Sequence, residues 1–223
     1  MEVMTDGIIL IDKPAEMTSF GVVARIRRVL SRQADKKVKV GHTGTLDPFA
    51  TGLMILTIGK ECKSAGNYSK LDKVYQATIR LGESSTTGDP EGEITKDAHQ
   101  TEHSRAEIEA ALSKFNGQIK QRPPIFSAIK INGQRAYKLA RDGQEVEIPE
   151  RQVTIFSLEL IDYNYPELTI QTHVSSGTYI RSLAVDIGRE LGVGAYCSRL
   201  RRLSIADWQV SDARQLADFG ITS

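Results

Sequence analysis

GHTGTLDPFATG, residues 41–52, holds three glycines, three threonines, one histidine, one proline and a single acid, Asp47. Asp47 precedes Pro48, and a proline ring pushes the residue before it out of the helical region. The backbone here is therefore extended or turning. Two readings of the carboxylate follow: it is aimed into a cleft, or it caps the next element, since Asp bonds readily to nearby backbone groups in turns. Gly41, Gly44 and Gly52 permit angles or close approaches that a side chain forbids. The run GxxxxGK[ST] is absent, so this is not a phosphate loop.

Strand signals flank this stretch. GIILIDKP, residues 7–14, reads as a buried strand stopped by Pro14. Thr18 or Ser19 caps a following helix, where Val22, Val23, Ile26, Val29 and Leu30 form an apolar stripe and Arg25, Arg27 and Arg28 lie outside it. LMILTIG, residues 53–59, is a second apolar strand, with a helical start considered at Ala50. In VYQATIRLG, residues 74–82, Tyr75, Ala77, Ile79 and Leu81 share one face. Tyr75 thus points where the apolar side chains point, as a core tyrosine with a satisfied hydroxyl would.

Residues 84–93, SSTTGDPEGE, form a polar, turn-rich loop. Ser104 and Glu107 make a capping box for a helix through about Phe115. His99 and His103 lie four apart just before it, without a nearby cysteine, which argues against a metal pair. Residues 122–153 carry Pro123-Pro124, a hairpin signal at Asn132-Gly133, then Arg135, Lys138 and Arg141 at helical spacing with Tyr137 among them. A basic, aromatic-bearing protrusion of this kind suits a nucleic acid, and also an ordinary surface hairpin and helix. Residues 153–163 and 168–174 look like paired strands. Residues 175–191 open a helix with Ile180, Leu183, Ala184, Ile187 and Leu191 buried. Arg181 falls near its first turn, where a cation opposes the helix dipole; an acid or an anionic ligand commonly holds such an arginine. Residues 198–208 read as one basic, apolar-alternating strand.

The 223 residues suffice for one large domain or two small ones. Net charge is +1, so bulk charge does not point to a nucleic acid, although basic residues cluster at 25–28, 36–39 and 199–202. Cys62 and Cys197, far apart, suggest free thiols in a reducing compartment. No signal peptide or long apolar run is present, which predicts a soluble, cytoplasmic protein away from membranes.

Seven segments in order resemble the bacterial tRNA pseudouridine-55 synthases, the TruB family of pseudouridine synthases: KPAEMTS (residues 13–19), GHTGTLDPFATG, the Tyr75 strand, TTGDPEG, RPPIFSAIKINGQRAYKLAR, SSGTYIRSLAVDIG and LRRL (residues 200–203). The resemblance covers nearly the whole chain. It implies an α+β pseudouridine synthase fold, a mixed and mainly antiparallel sheet flanked by helices with a catalytic cleft. It implies one catalytic domain over residues 1–223, with an RNA-contacting insertion at about 122–153. The small C-terminal RNA-binding domain usual in the family is not expected.

By matching position, Asp47 would be the family's essential aspartate. Tyr75 would stack on the target uracil and act as base, and Arg181 would pair with the aspartate. The resemblance assigns substrate binding to His42, Thr43 and Gly44, to Lys130 and Arg141 in the basic segment, to Tyr179 and Leu200 lining the pocket, and to Arg202. The implied partner is the T-arm stem-loop of tRNA, met by a monomer. Two residues depart from the family pattern: Glu16 stands where glycine is usual, and Thr86 where an acid is common. The implied reaction breaks the N1–C1′ bond of uridine and rejoins C1′ at C5. No electron or external group is transferred, so no cofactor and no metal is expected. A carboxylate kept ionised in a dry pocket needs a close cation, and the uracil must leave its stack to reach it. Attack on the base, attack on the sugar and a glycal route all remain open.

Overall fold

Every residue of the strand Thr51–Ile58 (β3) beyond the first is buried, the pattern of a strand covered on both faces. The computed structural model describes residues 4–98, 101–125, 127, 130, 131, 134, 135 and 148–221. It divides into two units, Met1–Tyr75 with Leu200–Ser223, and Gln76–Arg199.

In the first unit β3 is central. Gly7–Lys13 (β1) pairs with it antiparallel, from Gly7 opposite Ile58 to Lys13 opposite Gly52. Its other edge is shared. Val40–His42 (β2) takes Leu56 to Ile58 antiparallel. The strand Ala195–Ile205 (β12) runs parallel to it, with Arg201 and Arg202 opposite Thr51 and Gly52. The chain thus leaves β2 at His42 and returns at Thr51, and residues 43–50 span the gap between the two edge partners. Leu53, Ile55 and Ile205 pack with Ile8, Leu10, Tyr68, Leu71 and Trp208. Burying each such side chain contributes about 1.5–3 kcal/mol. The helix Ser19–Gln33 (α1) starts at Thr18, whose hydroxyl accepts the Gly21 N–H at 2.9 Å. It buries Val22, Val23, Ile26 and Leu30, and leaves Arg25 and Arg28 exposed. The short helix Ala65–Ser69 (α2) leads toward the strand Lys73–Leu81 (β4), which carries the chain into the second unit.

Two expectations are corrected here. No helix starts at Ala50: its N–H bonds the Asp47 carbonyl at 3.1 Å, closing a turn with Asp first and Pro second, a favoured arrangement in such turns. Residues 198–208 are not one strand. Ala206 turns left-handed (φ 44°), and Trp208–Gln209 (β13) folds back with Trp208 opposite Ile205. Alternation alone does not reveal a reversal that carries no glycine.

The second unit has strand order β4, Glu167–Val174 (β11), Arg151–Asn164 (β10), Gly117–Gln121 (β7). The expected pairing of β10 with β11 is present, with register shifts between Ile155 and Ser157 and between Leu160 and Asp162. Arg105–Ser113 (α3) has the expected capping box at Ser104 and Glu107, and packs against Ile180–Leu191 (α4) and β10. Glu83–Ser85 (β5) and Ile94–Lys96 (β6) pair at the base of the polar loop. Thr86 closes that loop by accepting the Glu93 N–H at 3.0 Å. Lys130–Ile131 (β8) pairs antiparallel with Gln134–Arg135 (β9), as a hairpin requires. The turn Asn132-Gly133 itself, His99, Tyr137, Lys138 and Arg141 lie outside the described residues. Cys62 and Cys197 are thiols not joined in a disulfide. Among the described residues no helix is long and apolar enough to cross a membrane.

Candidate active site

The Asp47 loop is fixed from beneath by side chains that are themselves buried. The Ser19 hydroxyl accepts the Leu46 N–H at 2.8 Å and donates to the Leu46 carbonyl at 2.9 Å, so both backbone groups before Asp47 are held. On the other side, the Lys13 ammonium, fully buried, donates to the Pro48 carbonyl at 3.1 Å and the Pro14 carbonyl at 2.8 Å. Thr43 is buried, and its hydroxyl bonds the Ile55 carbonyl at 3.4 Å. Asp47 is half-buried on this platform.

Arg202 ties the two ends of the loop together. Its Nε donates to the Leu53 carbonyl at 2.6 Å and its Nη2 to the Gly44 carbonyl at 3.2 Å. Only 1% of the residue is exposed. A Cβ on Gly52 would come within 2.3 Å of the Arg202 carbonyl oxygen, and Gly52 sits at φ 105°, so glycine is required there on both counts. Arg202 and Thr43, the first residue of the loop, are thus buried, with Arg202 Nε and Nη2 and the Thr43 hydroxyl turned to backbone carbonyls. Lys73, two residues before Tyr75, is a second buried cation near Gly44. Its ammonium donates to the carbonyls of Ser69, at 3.2 Å, and Leu71. Burial pushes its pKa down to about 8, the Arg202 charge adds to the shift, and Asp72 opposes it. Tyr75 is 7% exposed on β4, on the apolar face that alternation predicts, and Leu200 is buried on β12. His42 ends β2 opposite Leu56.

Arg181 and Tyr179 belong to the second unit. Arg181, in the first turn of α4, is 4% exposed and donates from Nη1 to Asp89 Oδ2 at 2.7 Å and to the Thr87 carbonyl at 3.1 Å. Asp89 is itself locked. Its Oδ1 accepts from the Thr87 hydroxyl at 2.5 Å and the Glu91 N–H at 3.0 Å. The position of Arg181 predicted an acid or an anionic ligand, and Asp89 is an acid that holds it and that sequence reasoning did not assign. The signal available was a second Asp-Pro pair, Asp89-Pro90, in another Gly-rich turn. Tyr179 precedes α4, its backbone gripped by Gln121 and its ring by Arg151. Beside this helix lies a cavity of about 840 Å³, lined by Arg181, Ser182, Thr87, Phe115, Lys120 and Arg122 among others. Lys130 opens β8.

The fold is similar to that of Cbf5 in a Cbf5-Nop10-Gar1 complex, with a TM-score of 0.74 at 27% identity over 96% of this chain and 53% of that chain. Residues 27–180 match the family described as TruB family pseudouridylate synthase (N terminal domain), and the chain belongs to this family. A tRNA pseudouridine synthase B of Corynebacterium efficiens is 41% identical over 220 residues, which is 97% of this chain and 72% of the relative. One of Phocaeicola vulgatus is 44% identical over 214 residues, or 95% and 91% respectively.

Proposed function

We propose that this chain, as a single copy, binds the T-arm of tRNA and isomerises to pseudouridine the T-loop uridine on which the pseudouridine-55 enzymes act. Asp47 is the essential carboxylate. The observation that carries this reading is the fixing of Asp47: its neighbours Leu46 and Pro48 are held by Ser19 and Lys13, and its loop by Arg202. An acid on so constrained a loop suits chemistry at a fixed point, because holding reacting groups in place supplies much of a catalytic barrier reduction. Family membership supports the same reading, as do the activities for which the relatives are named.

In this reaction the N1–C1′ bond breaks, C1′ joins C5, C5 gives up its proton and N1 takes one. In the proposed assignment Tyr75 stacks on the extruded uracil and receives the C5 proton. The family assignment makes Arg181 the cation that keeps the essential carboxylate ionised, and Asp89 and the Thr87 carbonyl orient its guanidinium. His42, Gly44, Tyr179 and Leu200 border the base, and Lys130 and Arg141 meet the RNA backbone. Thr43 and Arg202 act through the loop.

Asp47→Asn tests the reading, because it keeps shape and removes charge. Tritium release from C5-labelled uridine in tRNA should fall by roughly 10³-fold or more, with circular dichroism and RNA affinity unchanged. Turnover near that of the parent would overturn the assignment.

A further inference from the structure

Gln121 ends β7, and Arg151 faces it across the ladder at the start of β10. Residues 122–150, the bulk of the inserted segment, leave the sheet after one and return at the other. Gln121 is fully buried, and its amide takes both backbone groups of Tyr179. Oε1 accepts the Tyr179 N–H at 2.8 Å, and Nε2 donates to the Tyr179 carbonyl at 3.0 Å. The same carbonyl accepts the Leu183 N–H at 3.1 Å as α4 begins. Tyr179 makes no side-chain cap of its own, and Gln121 takes its backbone N–H as the N3 acid of a capping box takes the N–H of the capping residue. One residue on, the Arg122 carbonyl accepts the Ser182 hydroxyl at 2.8 Å.

Arg151 holds the ring. Its guanidinium carbon lies 4.7 Å from the Tyr179 ring centroid. Its Nε and Nη2 are buried without a hydrogen-bond partner among the described residues, so ring contact is the way this group is accommodated. Gly177, at φ 84°, leaves the space; a Cβ there would press on the guanidinium at 3.3 Å.

We infer that Gln121 and Arg151 are positioning residues for the proposed isomerisation. From the two roots of the inserted segment they fix the backbone and ring of Tyr179, and through the first turn of α4 they fix Arg181. This rests on the function proposed above. It also means that any RNA contact that shifts those roots shifts Tyr179 with them.

The test uses the full chain with Arg151→Met, Tyr179→Leu, the double variant, Gln121→Leu and Gln121→Glu. Single-turnover rates at saturating tRNA, binding affinity and amide exchange at residues 179–183 are measured on each. Arg151→Met should keep the fold and its affinity within about threefold, yet slow the reaction by about tenfold or more, since small misplacements in an active site carry large rate losses. In the Tyr179→Leu background the same change should add less than about twofold, the mark of two groups acting as one. Gln121→Leu should speed exchange of the Tyr179 amide by about tenfold or more, that bond being its protection. Gln121→Glu keeps the acceptor but replaces the donor to the Tyr179 carbonyl, so amide exchange should fall between the parent and Gln121→Leu, and exchange as fast as in Gln121→Leu would overturn the part given to the acceptor. Additive effects of Arg151→Met and Tyr179→Leu would overturn the inference, as would unchanged exchange in a folded Gln121→Leu. Should Gln121→Leu fail to fold, the Arg151 and Gln121→Glu arms still decide. An unmutated chain that leaves tRNA uridine untouched defeats the proposed function, while the exchange measurements still decide whether Gln121 fixes the Tyr179 backbone.

Discussion

Glu16 sits at φ 61°, in the left-handed region, where a side chain costs about 1–2 kcal/mol relative to glycine. Glycine there relieves the strain but frees the unfolded chain, which returns about 0.4–1 kcal/mol. Glu16→Gly should therefore stabilise the protein by about 0.5–1 kcal/mol and raise Tm by roughly 2–3 °C in calorimetry. Glu16→Ala keeps the strain and should give no gain; equal stabilisation by both would show that φ is not the cause. Lys73 makes a second prediction. Its folded pKa of about 8 lies below the ordinary 10.5, so between those values the unfolded chain binds more protons. Stability then rises with pH across that window, and the penalty is fully present below about pH 8. Lys73→Met should gain on the parent at pH 7 and lose that gain by pH 10.5, a change of about 3 kcal/mol in the difference between their denaturant curves. A difference that stays flat with pH would mean that the ammonium is not desolvated as its surroundings suggest. Family pattern marked Glu16 as unusual, but its backbone angle was not readable. Nothing local reveals the full shift at Lys73, because the Arg202 charge that adds to its burial lies far along the chain.

At the scale of the element, the loop between β2 and β3 shows what local sequence reveals. Asp47-Pro48 predicted a turning backbone, and the turn to Ala50 is there. Alternation put Tyr75 on the buried face, and the 3.6-residue period predicted the stripes of α1 and α4. Contacts between distant segments stayed hidden. Arg202 was expected to bind substrate, within a basic cluster with Arg199 and Arg201, yet β12 runs parallel to β3 and this side chain is held by the carbonyls of Gly44 and Leu53. Asp89 was passed over because its partner Arg181 lies 92 residues away. The clamp has a direct consequence. Arg202→Lys keeps the charge but cannot span both carbonyls with a planar fork. It should leave RNA affinity within about threefold and lower the single-turnover rate by about tenfold or more, because the loop loses its fixed point. A weakened affinity with an unchanged chemical step would show instead that Arg202 touches RNA.

At the scale of the whole molecule, the proposed reaction balances on side-chain acids and bases alone. Activity should survive exhaustive EDTA treatment, with the tRNA shown to remain folded; loss restored by zinc would overturn this. The order of the chain adds something else. The second unit, Gln76–Arg199, interrupts the first. Asp47 is made early, whereas the arginine that fixes its loop follows 155 residues later, at position 202. At a synthesis rate of about 5–20 residues per second, the loop waits roughly 8–30 s on the ribosome before its clamp exists. A nascent chain halted before β12 would carry Asp47 on a loop that still lacks its clamp, so under the proposed function competence toward RNA waits for β12 to be made.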